Sequence, residues 1–135
     1  MLNNNLKTLC VILHYGRESF TNECIQSVTN NRFTNLDIIV SDNDPSQSYK
    51  LPENLNTNVR IVKTGGNVGF AKGNNIGVNK FLSDIYGSIL ILSNDTILTK
   101  DSLDFLRKTL YSKKNIGAVG PCMPYHSNPN KIWSF

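Results

Sequence analysis

Ile89-Leu90-Ile91-Leu92 runs apolar without a break, and the chain then turns polar at Ser93-Asn94-Asp95-Thr96. A short continuous apolar run bounded by turn formers suits a strand buried on both faces. Such strands belong to parallel sheets covered by helices. The run therefore predicts a central strand over Ser88–Leu92 in an α/β fold. Asp95 then stands just past the carboxyl end of that strand, the edge at which open α/β sheets bind ligands. A lone carboxylate there suits a hard divalent cation, Mg2+ or Mn2+, whose other positions are filled by phosphate oxygens and water. Asp95 is the predicted metal ligand of a nucleotide-diphosphate site.

The other elements follow from pattern. Thr8–His14 reads as a first strand ending in the polar tip His14-Tyr15-Gly16. A helix of about a dozen residues over 19–30 repeats Phe20, Cys24 and Val28 on one stripe, with Ile25 beside them. Leu36–Ser41 is a second strand, and Asp42-Asn43-Asp44-Pro45-Ser46 is the turn at its end. Residues 47–57 are polar and predict a connecting loop. Val59–Lys63 alternates, as a more exposed third strand does. The segment Thr64-Gly65-Gly66-Asn67-Val68-Gly69 opens a helix running to about Leu82, with Phe70, Val78, Phe81 and Leu82 as its apolar face.

Thr99 is the predicted N-cap of the next helix, whose stripe is Leu103, Leu106 and Leu110. Ile116–Pro121 is a short fifth strand or extended segment, and residues 122–135 show no regular pattern. This order predicts a mostly parallel sheet with helices on both faces. The ends of strands one, two and four then meet at one edge, gathering His14-Tyr15, Asp42-Asn43 and Asn94-Asp95.

Composition narrows the function. At 135 residues the chain fits one domain, residues 1–135, able to bury a real core. The net charge of +4 favours anionic partners mildly, but Lys and Arg are not clustered among aromatics, which argues against nucleic acid. Cys10, Cys24 and Cys122 lie far apart without a Cys-x-x-Cys pair, so neither a disulfide framework nor a zinc cluster is expected. A reducing, cytoplasmic setting fits that usage. The first seven residues lack a signal-peptide core, and no run is long enough to span a membrane. Peripheral contact with the inner face of a membrane stays open.

The chemistry of the tips is that of a nucleotide site. Asp42 can accept a hydrogen bond from a base N–H or a ribose hydroxyl. His14 and Tyr15 offer rings to pack against a base. The glycines around Asn67 and Gly69 allow close approach of backbone to ligand, but their spacing is neither a dinucleotide fingerprint nor a phosphate loop. Asn74 and Asn75, at the start of a helix, either face the ligand or bond to nearby backbone. Asn94 adjoins Asp95. Nothing suggests a covalent mechanism. A nucleotidyltransferase would need a basic glycine-rich loop after strand one, for which Gly16-Arg17-Glu18 is a poor candidate.

With these residues in view, the chain resembles the N-terminal half of family 2 glycosyltransferases, of the rhamnosyltransferase-like branch, which have a GT-A, Rossmann-like fold. The likeness spans about Thr8 to Pro121. Its most specific piece is Asn67-Val68-Gly69-Phe70-Ala71-Lys72-Gly73-Asn74-Asn75-Ile76-Gly77, similar to the family signature Asn-x-Gly-Phe-Ala-x-Gly-x-Asn-x-Gly. Val11–Gly16, Ile38–Asn43 and Gly117–Pro121 are similar to the family's opening strand, base-contacting strand end and later segment. Leu92-Ser93-Asn94-Asp95-Thr96 looks like a reduced form of its Asp-x-Asp region, with Ser93 in place of the first carboxylate.

The resemblance implies sugar transfer from a nucleotide diphosphate sugar to a saccharide or lipid-linked saccharide acceptor, with inversion, in surface polysaccharide synthesis. It implies nucleotide contacts from His14, Tyr15, Asp42, Asn67, Gly69, Asn74 and Asn94, and metal at Asp95. It also implies a catalytic base and acceptor site in a C-terminal half beyond Phe135, which makes this chain a truncated piece. The alternative is a non-catalytic nucleotide-binding or protein-interaction module of the same fold.

Overall fold

The structure is a computed structural model that describes residues 6–55 and 58–134. Most of the amino-terminal segment read for a signal peptide, and residues 56, 57 and 135, lie outside the described residues. The elements in order are β1 (Lys7–His14), α1 (Glu18–Thr29), β2 (Leu36–Asp42), β3 (Val59–Lys63), α2 (Phe70–Phe81), β4 (Tyr86–Ser93), α3 (Ser102–Leu110), β5 (Met123–Tyr125) and β6 (Asn128–Ser134).

The first four strands form a wholly parallel sheet in the order β3-β2-β1-β4. Side chains alternate across it, so each strand serves two cores. Cys10, Ile12, Ile38, Val40 and Leu92 pack with Cys24, Ile25 and Val28 of α1 and Leu103 of α3. On the other face Leu9, Val11 and Ile39 pack with Val78 of α2. The sheet thus carries helices on both faces, as its order of elements predicts.

Helix α2 lies unusually close to the strands. Its buried face is Gly73, Asn74, Gly77 and Val78, while Phe70 and Leu82 are half exposed. A β-carbon on Gly73 would stand 2.6 Å from Leu13 Cδ1, and one on Gly77 would stand 2.9 Å from Val11 Cγ1. Ser41 Oγ closes the contact by donating to the Gly73 carbonyl at 2.7 Å.

Three local expectations change. The Ile89–Leu92 run is not buried on both faces. Among the described residues β4 is the last strand of the sheet, and Ile89 and Ile91 are 43% and 48% exposed. Helix α2 covers β1 and β2 but leaves that face of β4 bare. Of the two readings of Ile116–Pro121, strand or extended segment, the strand fails, since it joins no sheet among the described residues, and the segment after it pairs β5 with β6 in an antiparallel ribbon. Thr99 is not the N-cap of α3, since Asp101 occupies that position. The Thr99 carbonyl instead accepts from the backbone N–H and hydroxyl of Ser102.

Candidate functional site

The register of the sheet builds the site. His14 of β1 stands beside Asp42 of β2, and Leu13 stands beside Ser93 of β4. The carboxyl ends of β2, β1 and β4 therefore lie side by side, with the β1 tip in the middle. The chain passes from β1 to β2 on one side and returns through α2 to β4 on the other, so its strand order reverses at β1. Ligands of open α/β sheets bind at such a switch point. The N-terminus of α2 opens at the same edge, adding backbone donors and the positive end of a helix dipole.

A buried polar network joins the β1 and β4 tips. His14 is only 2% exposed, and its ring lies 4.5 Å from that of Tyr49, centroid to centroid. Its Nδ1 is 2.6 Å from Thr21 Oγ1. Asn94 Nδ2 donates to Thr21 Oγ1 and to the Tyr15 carbonyl, each at 3.0 Å. The Tyr15 side chain, by contrast, is 51% exposed. The Asp95 carboxylate next to Asn94 faces solvent and makes no hydrogen bond or ion pair with another described residue.

The β2 and β3 side is joined by loops. Asp42 is fully buried, and its carboxylate accepts from the backbone N–H groups of Asp44 at 3.2 Å and Tyr49 at 3.3 Å. Asn43 Oδ1 accepts from the Val68 N–H at 3.0 Å and the Thr64 hydroxyl at 3.1 Å, while its Nδ2 donates to Asn67 Oδ1 at 3.3 Å. Asn67 Oδ1 also receives the Gly69 N–H at 3.1 Å. Gly65, Gly66 and Gly69 have φ of 88°, 120° and 87°, a region closed to most side chains, which is why this loop needs glycine. Asn74 is 2% exposed and donates to the Phe70 carbonyl at 2.9 Å within its own helix.

Two groups beside the edge have shifted titration. Burial first, then the charge of Asp95, pushes the Cys24 thiol up to about 12, so it stays protonated at neutral pH. Hydrogen bonds from the Ser46 hydroxyl, the Ser46 N–H and the Gly16 N–H hold the Asp44 carboxyl below its usual range. Those contacts occupy Asp44 with joining the β1 and β2 turns. Two hollows of about 660 and 530 Å3 lie elsewhere, one between α1 and Ile97–Lys100, the other between β4, α3 and the Ile116–Val119 segment.

The sequence profile described as Glycosyl transferase family 2 matches residues 9–134. The chain belongs to that family.

Solved structures similar to this family 2 chain include S. aureus TarS 1-349, at 14% identity and a TM-score of 0.60 over 87% of this chain and 39% of that one. The same TarS piece in complex with UDP matches at 14% identity and a TM-score of 0.60, over 79% of this chain and 32% of that one. TarS itself matches at 15% identity and a TM-score of 0.59, over 90% of this chain and 24% of that one. At such identities the likeness shows the GT-A fold. The chain spans 39% of the length of the first of these structures. No curated protein matches it.

Within the family 2 fold, the edge gathers Tyr15, Asn67, Gly69, Asn94 and Asp95 at or near the surface, and His14, Asp42 and Asn74 beneath it. Sequence reasoning passed over Thr21, Gln47 and Thr64, which tie the tips together. Their only signal was their polar character, Gln47 and Thr64 in loops and Thr21 in the first turn of α1.

Proposed function

We propose that this domain binds the nucleoside diphosphate sugar donor of a glycosyltransferase across the β2-β1-β4 edge. The observation that carries the reading is the in-phase alignment of three parallel strand tips with one unpartnered carboxylate, Asp95, at the β4 end. Family membership and the UDP bound by TarS 1-349 support it.

The donor set fits a divalent cation of the Mg2+ or Mn2+ type. One hard carboxylate is exposed and free, and diphosphate oxygens complete such sites. Among the described residues no group of three or more His, Cys, Asp or Glu stands ready to hold a metal alone, so binding of cation and nucleotide is coupled. When bound, the cation supplies neutralisation of the leaving diphosphate.

With Asp95 at the diphosphate end, the nucleoside extends over the β1 tip toward β2 and β3. Tyr15 offers a half-exposed ring on that path, and the N-terminus of α2 offers backbone donors. His14, Asp42 and Asn74 act from below, holding the backbone that the ligand meets. In the transfer, an acceptor hydroxyl attacks the anomeric carbon from the face opposite the diphosphate. The bond to the diphosphate breaks, the hydroxyl proton passes to a base, and the configuration inverts.

We assign the base and the acceptor site to none of these residues. A saccharide or lipid-linked saccharide acceptor, a role in surface polysaccharide synthesis at the inner membrane face, and the rhamnosyltransferase-like branch complete the proposal, resting on the Asn67–Gly77 signature. No helix among the described residues is long and apolar enough to cross a membrane.

Calorimetry with UDP tests the reading. The wild type binds UDP in Mn2+ and loses at least about tenfold in affinity on chelation or in Asp95→Ala, the scale of losing one charge-assisted contact. Equal binding by wild type and Asp95→Ala refutes the metal assignment, and no binding by either refutes the donor site.

A further inference from the structure

Gln47 is the one described residue other than glycine with a positive φ, 49°. A side chain disfavours that conformation, and it persists only where surrounding contacts over-determine it. Here the contacts come from its own amide. Nε2 donates to the carbonyls of Asp42 at 2.7 Å and Asp44 at 2.6 Å. Oε1 accepts the backbone N–H of Gly65 at 2.9 Å. Two acceptors on one side and a donor on the other match a primary amide and no charged side chain. Glutamate would set an oxygen against two carbonyls, and lysine or arginine could not accept from Gly65.

The bridge spans two loops that meet only in the fold. One is the turn after β2, which carries Asp42 and Asn43. The other is the left-handed Gly65-Gly66 turn that leads into α2. Both border the β2–β3 half of the edge. Asp95 lies at the far end, just past β4, with β1 between.

We propose that Gln47 is a positioning residue that sets the spacing of the two walls receiving the nucleoside, and so governs affinity for the nucleoside rather than for the diphosphate. This rests on the donor-site reading above. The amide holds both walls before ligand arrives, so the nucleoside enters a preformed slot and bears no cost of ordering it. The strand order keeps that effect from Asp95.

The experiment compares wild type, Gln47→Glu and Gln47→Gly in the full chain. Gln47→Glu keeps the size and removes both donors. Gln47→Gly removes the bridge and relieves the backbone strain, so it folds even where the first variant does not. Binding of UDP and of pyrophosphate is measured by calorimetry in Mn2+, below the melting temperature of each protein. In Gln47→Gly, and in Gln47→Glu if folded, UDP affinity falls about tenfold or more, as loss of two to three hydrogen bonds implies, and pyrophosphate affinity stays within about twofold.

A purely structural role would leave both ligands unchanged, or weaken both alike, and either result overturns the proposal. Wild type that fails to bind UDP overturns the donor site with it. Wild type that binds UDP as tightly as Gln47→Gly overturns the role of Gln47 alone.

Discussion

Replacing Gly77 by alanine tests the account of why α2 sits where it does. On an ordinary helix surface the change stabilises by about 1 kcal/mol, because glycine is the poorer helix former. Here the new β-carbon would stand 2.9 Å from Val11 Cγ1 and 3.3 Å from Ser41 Cβ. Both neighbours are fully buried. Val11 sits mid-sheet between β2 and β4 and has a stiff, branched side chain. Carbon atoms rest about 3.5–4.0 Å apart, so the helix must back away from the sheet by more than half an ångström.

Overpacking costs about 1–3 kcal/mol, and a stiff, fully buried neighbour puts this site in the upper half of that range, about 2–3 kcal/mol; less the helix-propensity gain of about 1 kcal/mol, the net destabilisation is about 1–2 kcal/mol. At about 2.1 cal/mol/K of unfolding entropy per residue, a chain of 135 residues then melts about 4–7 °C lower. Differential scanning calorimetry reads that shift. Gly117→Ala is the control, because its β-carbon would meet nothing within 4 Å. It is expected to stay within about 0.5 kcal/mol of wild type. A Gly77→Ala protein that melts at or above the wild type would refute the close-packing argument.

Two more perturbations probe the supports of the edge and of the opposite end of the sheet. Thr21→Val removes the fully buried hydroxyl shared by His14 Nδ1 and Asn94 Nδ2; it should cost about 1–3 kcal/mol, lowering the urea midpoint at constant slope, and an unchanged midpoint would show that the network carries no stability. At the other end, burial works to raise the Asp37 carboxyl, but hydrogen bonds from Tyr86 and Lys7 and the charges of Lys7 and Arg60 outweigh it and hold it below its usual value. A carboxyl lowered by folding adds stability above its unfolded pKa of about 3.9 and loses it as pH falls through the folded value. Asp37→Asn should therefore be less stable than wild type near pH 7, with the gap closing below about pH 4; a gap independent of pH would place its origin elsewhere.

The placement of the tips was legible because each ends an apolar run with polar residues, and parallel strands bring such ends to one edge. The neighbours of β4 were not legible. An uninterrupted run such as Ile89–Leu92 records hydrophobicity and not what covers it, and α2 packs mainly on β1 and β2. Ile116–Pro121 was read as a short strand or an extended segment for its apolar residues, and only the strand reading fails. It has two glycines and a proline, weak ladder formers, and it pairs with nothing. The β5–β6 ribbon was hidden for the opposite reason. Pro124 and Pro129 suppress the strand pattern, yet a two-stranded ribbon tolerates proline where its edge faces away from the partner. Gly73 and Gly77 stood in the signature as letters; only the distance to Leu13 and Val11 gives their spacing a cause.

The two halves of the edge are secured by different means. Between β1 and β4 the fastening is buried and carried by side chains, through His14, Thr21 and Asn94. Between β2 and β3 it lies in loops, through Gln47, Thr64 and Asn43, whose partners stand 18 to 25 residues away. This division explains why adjacent residues differ so sharply. Asn94 uses its amide to hold the Tyr15 carbonyl and the Thr21 hydroxyl, so the β4 tip is fixed without Asp95. The Asp95 carboxylate is thereby left with no structural duty. A solvent-facing acid on a rigid tip loses little by taking a cation, because no protein contact has to break first.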